Sequence, residues 1–290
     1  MTRHFEGLLS VHSAVLIFGL TALFSKFISL NAIEITLLRS VFAALAIALY
    51  ILWLKESLLL HKKRDYLIAF LLGFFLCTHW ITYFHAMQVS SIAIGIIALY
   101  TYPVITVFIE PFFHGERPHI KDILSALVVL VGIYLLVPEF SIDNQTTQGV
   151  FWGVLSAFLF AMRNIIHGRF FKSYPARHAL LYQTVFVVLF LLPFSGQVVF
   201  EVSQVQWWWF IVLGVFFTAL PHTLFANSLL YLKAKTVGLI GCMQVVYGTL
   251  FAALFLLELP DWKTVVGGLI VISAAVFETI GSVKQGKQAK

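Results

Sequence analysis

Ten apolar runs of about 20 residues divide this chain, and their length restricts its fold more than any other feature. A helix rising 1.5 Å per residue needs roughly that many residues to cross about 30 Å of hydrocarbon. The runs lack the ten-residue alternation of a membrane barrel, so helices are the reading. They extend from Leu8 to Ile28, Glu34 to Leu54, Tyr66 to Ala86, Ser90 to Glu110, Ile120 to Val137, Gly149 to Phe170, His178 to Val198, Trp207 to Ser228, Lys235 to Leu257 and Trp262 to Ser282. With 60% hydrophobic residues, 11% charged residues and a mean hydropathy of +0.94, the 290 residues carry more apolar surface than a soluble domain could bury. The fold expected is an all-α integral membrane protein with ten transmembrane helices, with membrane lipid as its surroundings.

The runs repeat. Leu72-Gly73-Phe74-Phe75 opens the third run and Leu213-Gly214-Val215-Phe216 the eighth, with the glycines 141 residues apart. Gly115-Glu116-Arg117-Pro118 closes the fourth run and Glu258-Leu259-Pro260 the ninth; Glu116 and Glu258 are 142 apart, as are Pro118 and Pro260. A single offset therefore lays one half of the chain on the other, which marks an internal duplication. The expected units are residues 1–138 and 149–283, five helices each, followed by a basic tail at 284–290. Five is odd, so the second unit enters the membrane from the opposite face: two inverted-topology five-helix repeats.

Charge sets orientation. A sequence pI near 9.3 would suggest nucleic acid in a soluble protein, but here the basic residues sit in short loops and read as topology signals, with no nucleic-acid partner. With the N-terminus cytoplasmic, 15 of the 19 Lys and Arg fall in cytoplasmic segments, against Lys263 alone in the outer loops. The expectation is a multi-pass protein of the cytoplasmic (inner) membrane with both termini cytoplasmic. No small-residue cleavage site follows the first run, which reads as a retained helix. Cys77 and Cys242 lie inside apolar runs and behave as small hydrophobes, implying neither a disulfide nor a metal site.

Several of these features resemble a known family. A short first helix, Leu38-Arg39-Ser40 in the second run, Gly73 in the third, Pro103 in the fourth, and the Gly-Glu-Arg-Pro turn before a fifth run bearing Gly132 are similar to the EamA-type repeat of the drug/metabolite transporter superfamily. The resemblance covers essentially the whole chain. It implies a secondary transporter of small metabolites, commonly an exporter of amino acids or related compounds, working by alternating access around a cavity between the halves, with no cofactor. Where that family usually carries a proline in the ninth span, this chain has Val245, Val246 and Tyr247. A broken helix is therefore expected in the fourth span without a matching one in the ninth.

Polar groups at membrane depth are the candidates for function, because an ionisable side chain there costs about 2.5–3.5 kcal/mol on insertion scales. Arg163 lies about 14 residues into the sixth span, beside Asn164 and one turn before His167. It contacts substrate or a gate, or else it has a structural role, snorkelling to the headgroups or pairing with Glu110 at the cytoplasmic end of the fourth span. His79, Trp80 and Tyr83 share one face of the third span, and either line a cavity or, towards the outer end, join the interfacial aromatic belt. In the eighth span Pro221-His222 breaks the helix near Phe225, and the repeat sets Pro221 against Trp80, so the two should meet across the axis. Tyr100 in the fourth span and Gln244 and Tyr247 in the ninth complete the lining, with packing on Gly241 and Gly248 as the alternative for the latter two. Lys26, Glu34 and Arg39 read as an outer ion-pair cluster. Proton coupling, if present, would pass through His79, His222, Glu110 or Glu278.

Soluble-enzyme signatures are missing: the chain has no phosphate loop, no paired cysteines spaced for zinc and no His-Glu-x-x-His. The competing classes are a scaffold or sensor that kept the fold without transport, and a membrane enzyme using histidines as ligands. The scatter of those histidines over separate spans argues against the enzyme and against any metal. A zwitterionic small molecule fits the balance of one deep guanidinium and many aromatic faces best. Single cysteines at positions 145 and 263 should label from the periplasmic side and those at 63 and 172 should not. Labelling at 63 from outside would overturn the orientation.

Overall fold

The computed structural model describes residues 3–115, 117, 120–137, 141–171, 173–194, 203–232, 237 and 240–288, with side chains in the last helix as far as Phe277. Glu116, Pro118, Lys172, Val198, Lys235 and the side chain of Glu278, all named above, lie outside it.

Five spans form the first half. Helix α1 (Arg3–Thr21) and the single turn α2 (Phe24–Phe27) make the first. Helices α3 (Ala32–Trp53) and α4 (Lys63–Val89) are the second and third. The fourth is split into α5 (Ile92–Leu99) and α6 (Tyr102–His114), and α7 (Ile120–Leu136) is the fifth. The second half has α8 (Gln145–Phe170) and α9 (Ala176–Leu191), then an eighth span of α10 (Gln204–Gly214), a π-helical turn (Val215–Ala219) and α11 (Leu220–Tyr231). It ends with α12 (Met243–Leu256) and α13 (Trp262–Gln288). Seven of these spans are long and apolar enough to cross a membrane, and three shorter apolar helices, Ile123–Leu136, Met243–Leu256 and Trp262–Phe277, account for the rest of the ten.

Helix packing carries the duplication into space. The third span lies along the sixth, as the eighth lies along the first; the third also packs on the seventh, as the eighth packs on the second. The second and seventh spans meet each other, and so do the fifth and tenth, which places both pairs on a pseudo-two-fold axis. Small residues permit the crossings. A Cβ on Gly73 would come within 2.5 Å of Phe186 Cβ, and one on Gly214 within 2.5 Å of Phe42 Cβ. The two repeat-related glycines thus do the same work at equivalent crossings.

The surface is inverted relative to a soluble protein. Leu45, Leu49, Leu130, Trp208, Leu254 and Phe255 are exposed on the outside, where lipid covers them. Arg39, His79, Ser156, Gln183, Thr184 and Thr218 are buried within.

The expected outer ion-pair cluster of Lys26, Glu34 and Arg39 does not form. Asn31 caps α3 through its Oδ1, and Glu34 Oε2 accepts from the Asn31 N–H at 3.1 Å, closing a capping box that occupies the carboxylate. Lys26 instead reaches the Ser90 carbonyl at 2.9 Å and Glu258 Oε1 at 3.8 Å, while Glu258 Oε2 accepts from Ile92 N–H at 3.0 Å. At the opposite end of the bundle the Arg177 guanidinium grips Glu56 in a bidentate pair and holds its carboxyl below the usual carboxylate range.

Pro221 has no N–H, so the carbonyl of Phe217 loses its helical partner. The chain widens into the π turn just before it, and the single proton of Thr21 Oγ1 is shared between Ile17 O at 2.8 Å and, across from the first span, Phe217 O at 3.2 Å. Replacing Thr21 by Val should therefore destabilise the protein by about 1 kcal/mol, the usual worth of such a bond. In a Pro221→Ala background, where the new N–H can serve Phe217 O, the loss should shrink. Equal losses in both backgrounds, measured by unfolding in detergent, would remove Thr21 as the partner of that carbonyl.

Candidate functional site

The polar interior is assembled where two broken helices meet. Helix α5 ends at Leu99, Tyr100 and Thr101 form a turn, and α6 restarts with Pro103 at its second position. In the ninth span Gly241 is helical, Cys242 is a turn residue and α12 begins at Met243, so this span is broken too, 142 residues after Tyr100. The expectation of a break in the fourth span alone is corrected, and hydrogen bonding gives the reason. The N–H of Val245 turns to Cys242 O at 3.3 Å, which leaves Gly241 O outside the helix ladder, and the Tyr100 hydroxyl donates to it across the repeat interface. Glycine, a poor helix former, supplies here the weakness that proline supplies at Pro103. Tyr100 Oη is also 3.1 Å from Gln244 Oε1. With its one proton committed to Gly241, the tyrosine oxygen is best served by the Gln244 amide group turned towards it.

Helix α4 contributes His79, Trp80 and Tyr83, all buried. Ser156 Oγ donates to His79 O at 2.9 Å and so can only accept from His79 Nδ1, 2.7 Å away. His222 Nδ1 lies 2.7 Å from Thr218 O, which also demands a donor. Both imidazoles therefore carry their proton on Nδ1 and keep the Nε2 lone pair. The rings form an aromatic network in two groups, carried side by side by the adjacent residues His79 and Trp80 of α4: Trp80 meets His222 edge-on at 6.1 Å and Phe18 meets His222 at 4.8 Å, while His79 stacks on Phe160 at 4.7 Å. Phe160 in turn touches Tyr102 at 4.9 Å, and Tyr102 touches Tyr100 at 5.9 Å.

Two arginines flank this network. Arg163, half-buried seven residues before the end of α8, gives Nε to Gln183 Oε1 at 2.8 Å and Nη1 to Asn164 Oδ1 at 3.0 Å. Gln183 is fully buried, and its own amide donates to Ala179 O at 2.9 Å, which fixes Oε1 towards the guanidinium. Glu110 sits exposed on α6 and is not its partner. Arg39, seven residues into α3, is 3% exposed; its Nε donates to Thr218 Oγ1 at 3.1 Å, and Thr218 passes its own proton to Leu213 O. The Arg39 Cζ lies 4.3 Å from the Trp80 ring centroid and 5.1 Å from that of Phe84. The fields of both arginines reach His79 and His222. Among the described residues no carboxylate is paired with either cation.

His79, Trp80, Tyr83, Tyr100, His222 and Gln244 are thus brought together, with Arg163 and Asn164 beside them. Phe225 and Tyr247 pack against the Val11, Val15 and Leu232 cluster where the first span meets the eighth and ninth, and the Phe225 ring reaches Phe18, the neighbour of His222, at 6.3 Å. Sequence reasoning missed Ser156, Gln183 and Thr218, and assigned Arg39 to the outer surface. The signal available for Gln183 was an amide inside a Leu/Val/Phe run, the same kind of oddity that marked Gln244. Among the described residues no three His, Cys, Asp or Glu converge as metal ligands. A separate apolar groove of about 330 Å³ is lined by Ile97, Val245, Leu250, Pro260, Gly268 and Ile272 and holds none of these polar side chains.

The family model for the EamA-like transporter family matches the chain twice, over residues 5–137 and 147–279. An uncharacterized transporter, YxxF, of Bacillus subtilis is 26% identical over 94% of this chain and 89% of its own. Solute carrier family 35 member G1 of Mus musculus is 24% identical over 97% of this chain and 80% of its own, and a protein of Pseudomonas aeruginosa named pseudopaline exporter CntI is 22% identical over 86% of each. A solved crystal structure superposes with a TM-score of 0.64 at 17% identity, covering 96% of this chain and 97% of that one, which extends the likeness to the fold. Two matched repeats spanning nearly all of a ten-helix membrane protein place this chain in the EamA-like transporter family.

Proposed function

We propose that this transporter moves an amino acid or a related small zwitterionic metabolite out of the cell by alternating access, and that Arg163 binds its carboxylate. The observation that carries this reading is a guanidinium inside the bundle satisfied only by two amides, Gln183 and Asn164, and by no acid among the described residues. Neutral partners hold the cation in place without neutralising it, so it still seeks an anion, and its planar fork suits a carboxylate. The aromatic faces of Tyr100, Tyr102 and Phe160 suit an ammonium or an apolar side chain. A sugar would want more hydroxyls and amides than this network offers. The protein is a carrier in this reading and not an enzyme, it resides in the inner membrane, and both termini are cytoplasmic. The relative named as an exporter supports the outward direction.

The interruptions at Tyr100, Cys242 and Pro221 give the two repeats flexible points beside the site, as rocking of one half against the other requires. Coupling to protons would use the Nε2 lone pairs of His79 and His222, with Glu110 and Glu278 as the other carriers. Transport unchanged in rate and pH profile after all four are replaced would leave facilitated diffusion or exchange of solutes.

Arg163→Ala should weaken binding of a carboxylate-bearing substrate by at least about 1.5 kcal/mol, the low end for a hydrogen bond to a charged group, with the folded protein retained. Arg163→Lys should restore only part of the loss, because an ammonium lacks the fork. Titration calorimetry on both variants checks this. Normal binding by Arg163→Ala would reduce Arg163 to a tie between α8 and α9.

A further inference from the structure

Arg39 is the most deeply buried charge described in the structure, and the site as proposed so far does not use it. Its guanidinium has five N–H donors, of which Nε alone has a hydrogen-bond acceptor, Thr218 Oγ1; the four on its two Nη atoms have none among the described residues. Trp80 and Phe84 cover the cation with their ring faces, which lessens the cost of burying it but accepts none of those protons. Between these two rings on the same face of α4 is Tyr83, three residues from Trp80 and adjacent to Phe84. Tyr83 is buried, and its hydroxyl has no hydrogen-bond partner among the described residues, although Gln244 is close to it. The unbonded cationic fork and the unbonded hydroxyl thus belong to two residues that share Phe84 as neighbour, Arg39 Cζ at 5.1 Å and the Tyr83 ring at 6.0 Å from its centroid, and a single carboxylate could satisfy both.

Depth separates this pair from Arg163. Seven residues of α3 precede Arg39 and seven residues of α8 follow Arg163, which sets each about 10 Å from its helix end. Those two ends are at opposite sides of the bundle, so the two cations stand at different depths, with Arg39 against Trp80. We propose that Arg39 and the Tyr83 hydroxyl form a second carboxylate anchor, and that the substrate is a small molecule with two separated carboxylates, one held here and one at Arg163. This rests on the carboxylate reading of Arg163 and narrows it from zwitterions in general to diacids, with or without an amino group. Two cations without acids leave the site with excess positive charge, which one carboxylate would only half offset.

The test compares matched pairs of equal shape, each diacid against its monoamide, such as glutamate against glutamine and succinate against succinamate. Affinities for purified protein in nanodiscs are read by calorimetry and by thermal shift. Wild type should bind the diacid of at least one pair about tenfold or more tighter than its monoamide, and Arg39→Gln should bring the two level. Tyr83→Phe should weaken diacid binding several-fold while the melting temperature of the ligand-free protein stays the same or rises, because the hydroxyl removed has no partner to lose. Should Arg39→Gln fail to fold, wild type and Tyr83→Phe decide by themselves. Equal binding within every pair by wild type, or a full preference surviving in Arg39→Gln or Tyr83→Phe, overturns the second anchor and leaves the reading of Arg163 intact. Binding of neither member of any pair by wild type overturns that reading too.

Discussion

In hydrocarbon a backbone carbonyl or a charge that leaves its helical or ionic partner has no water to turn to, and the architecture of this protein follows from that shortage. At the interruptions of the eighth and ninth spans, a side chain from the other repeat is present to complete the backbone. Thr21 reaches Phe217 O, which Pro221 has deprived of its donor, and Tyr100 reaches Gly241 O, freed at the break in the ninth span. In both cases a side chain of the first repeat completes irregular backbone of the second. The interruptions can exist only at the interface between the halves, and a transport site belongs there for the same reason.

The frame is symmetric and its contents are not. Gly73 and Gly214 occupy equivalent crossings and meet equivalent phenylalanines, Phe186 and Phe42, so the same close approach is made twice. Arg39 is in the second span and Arg163 in the sixth, which are not equivalent members of the two repeats. A symmetric frame gives two conformations of similar energy, one open to each side, whereas an asymmetric set of side chains gives one binding site with a defined polarity. Division of labour of this kind lets the backbone provide the motion and a handful of side chains provide the recognition.

Buried polar side chains hold this interior in order through fixed tautomers and amide orientations. Ser156 donates to a carbonyl and so forces His79 to donate from Nδ1; Thr218 accepts from Arg39 because its proton is spent on Leu213 O. Gln183 is oriented by Ala179 O and in turn orients Arg163. The site is preorganised by neutral groups, which position the two guanidinium groups without cancelling their charge.

The ten spans, the duplication and the approach of the Trp80 helix to the Pro221 helix were legible in the chain itself, because hydrophobic length and a fixed offset are one-dimensional properties. Helix rotation and hydrogen-bond choice are not one-dimensional. In spans apolar on every side, no periodicity says which face turns inward, and so Phe225 and Tyr247 pack on Val11 and Val15 while Tyr102, Phe160 and Gln183 face the interior. The break in the ninth span has no proline to announce it, and depends on a tyrosine 141 residues earlier accepting the role of donor to Gly241. Glu34 stands about one turn before Arg39 on the same helix, yet the capping box at Asn31 engages its carboxylate. The sequence by itself determined how many helices cross the membrane and that they come in two related sets; only the tertiary structure decided which polar groups meet, because each of those meetings joins residues from helices far apart in the chain.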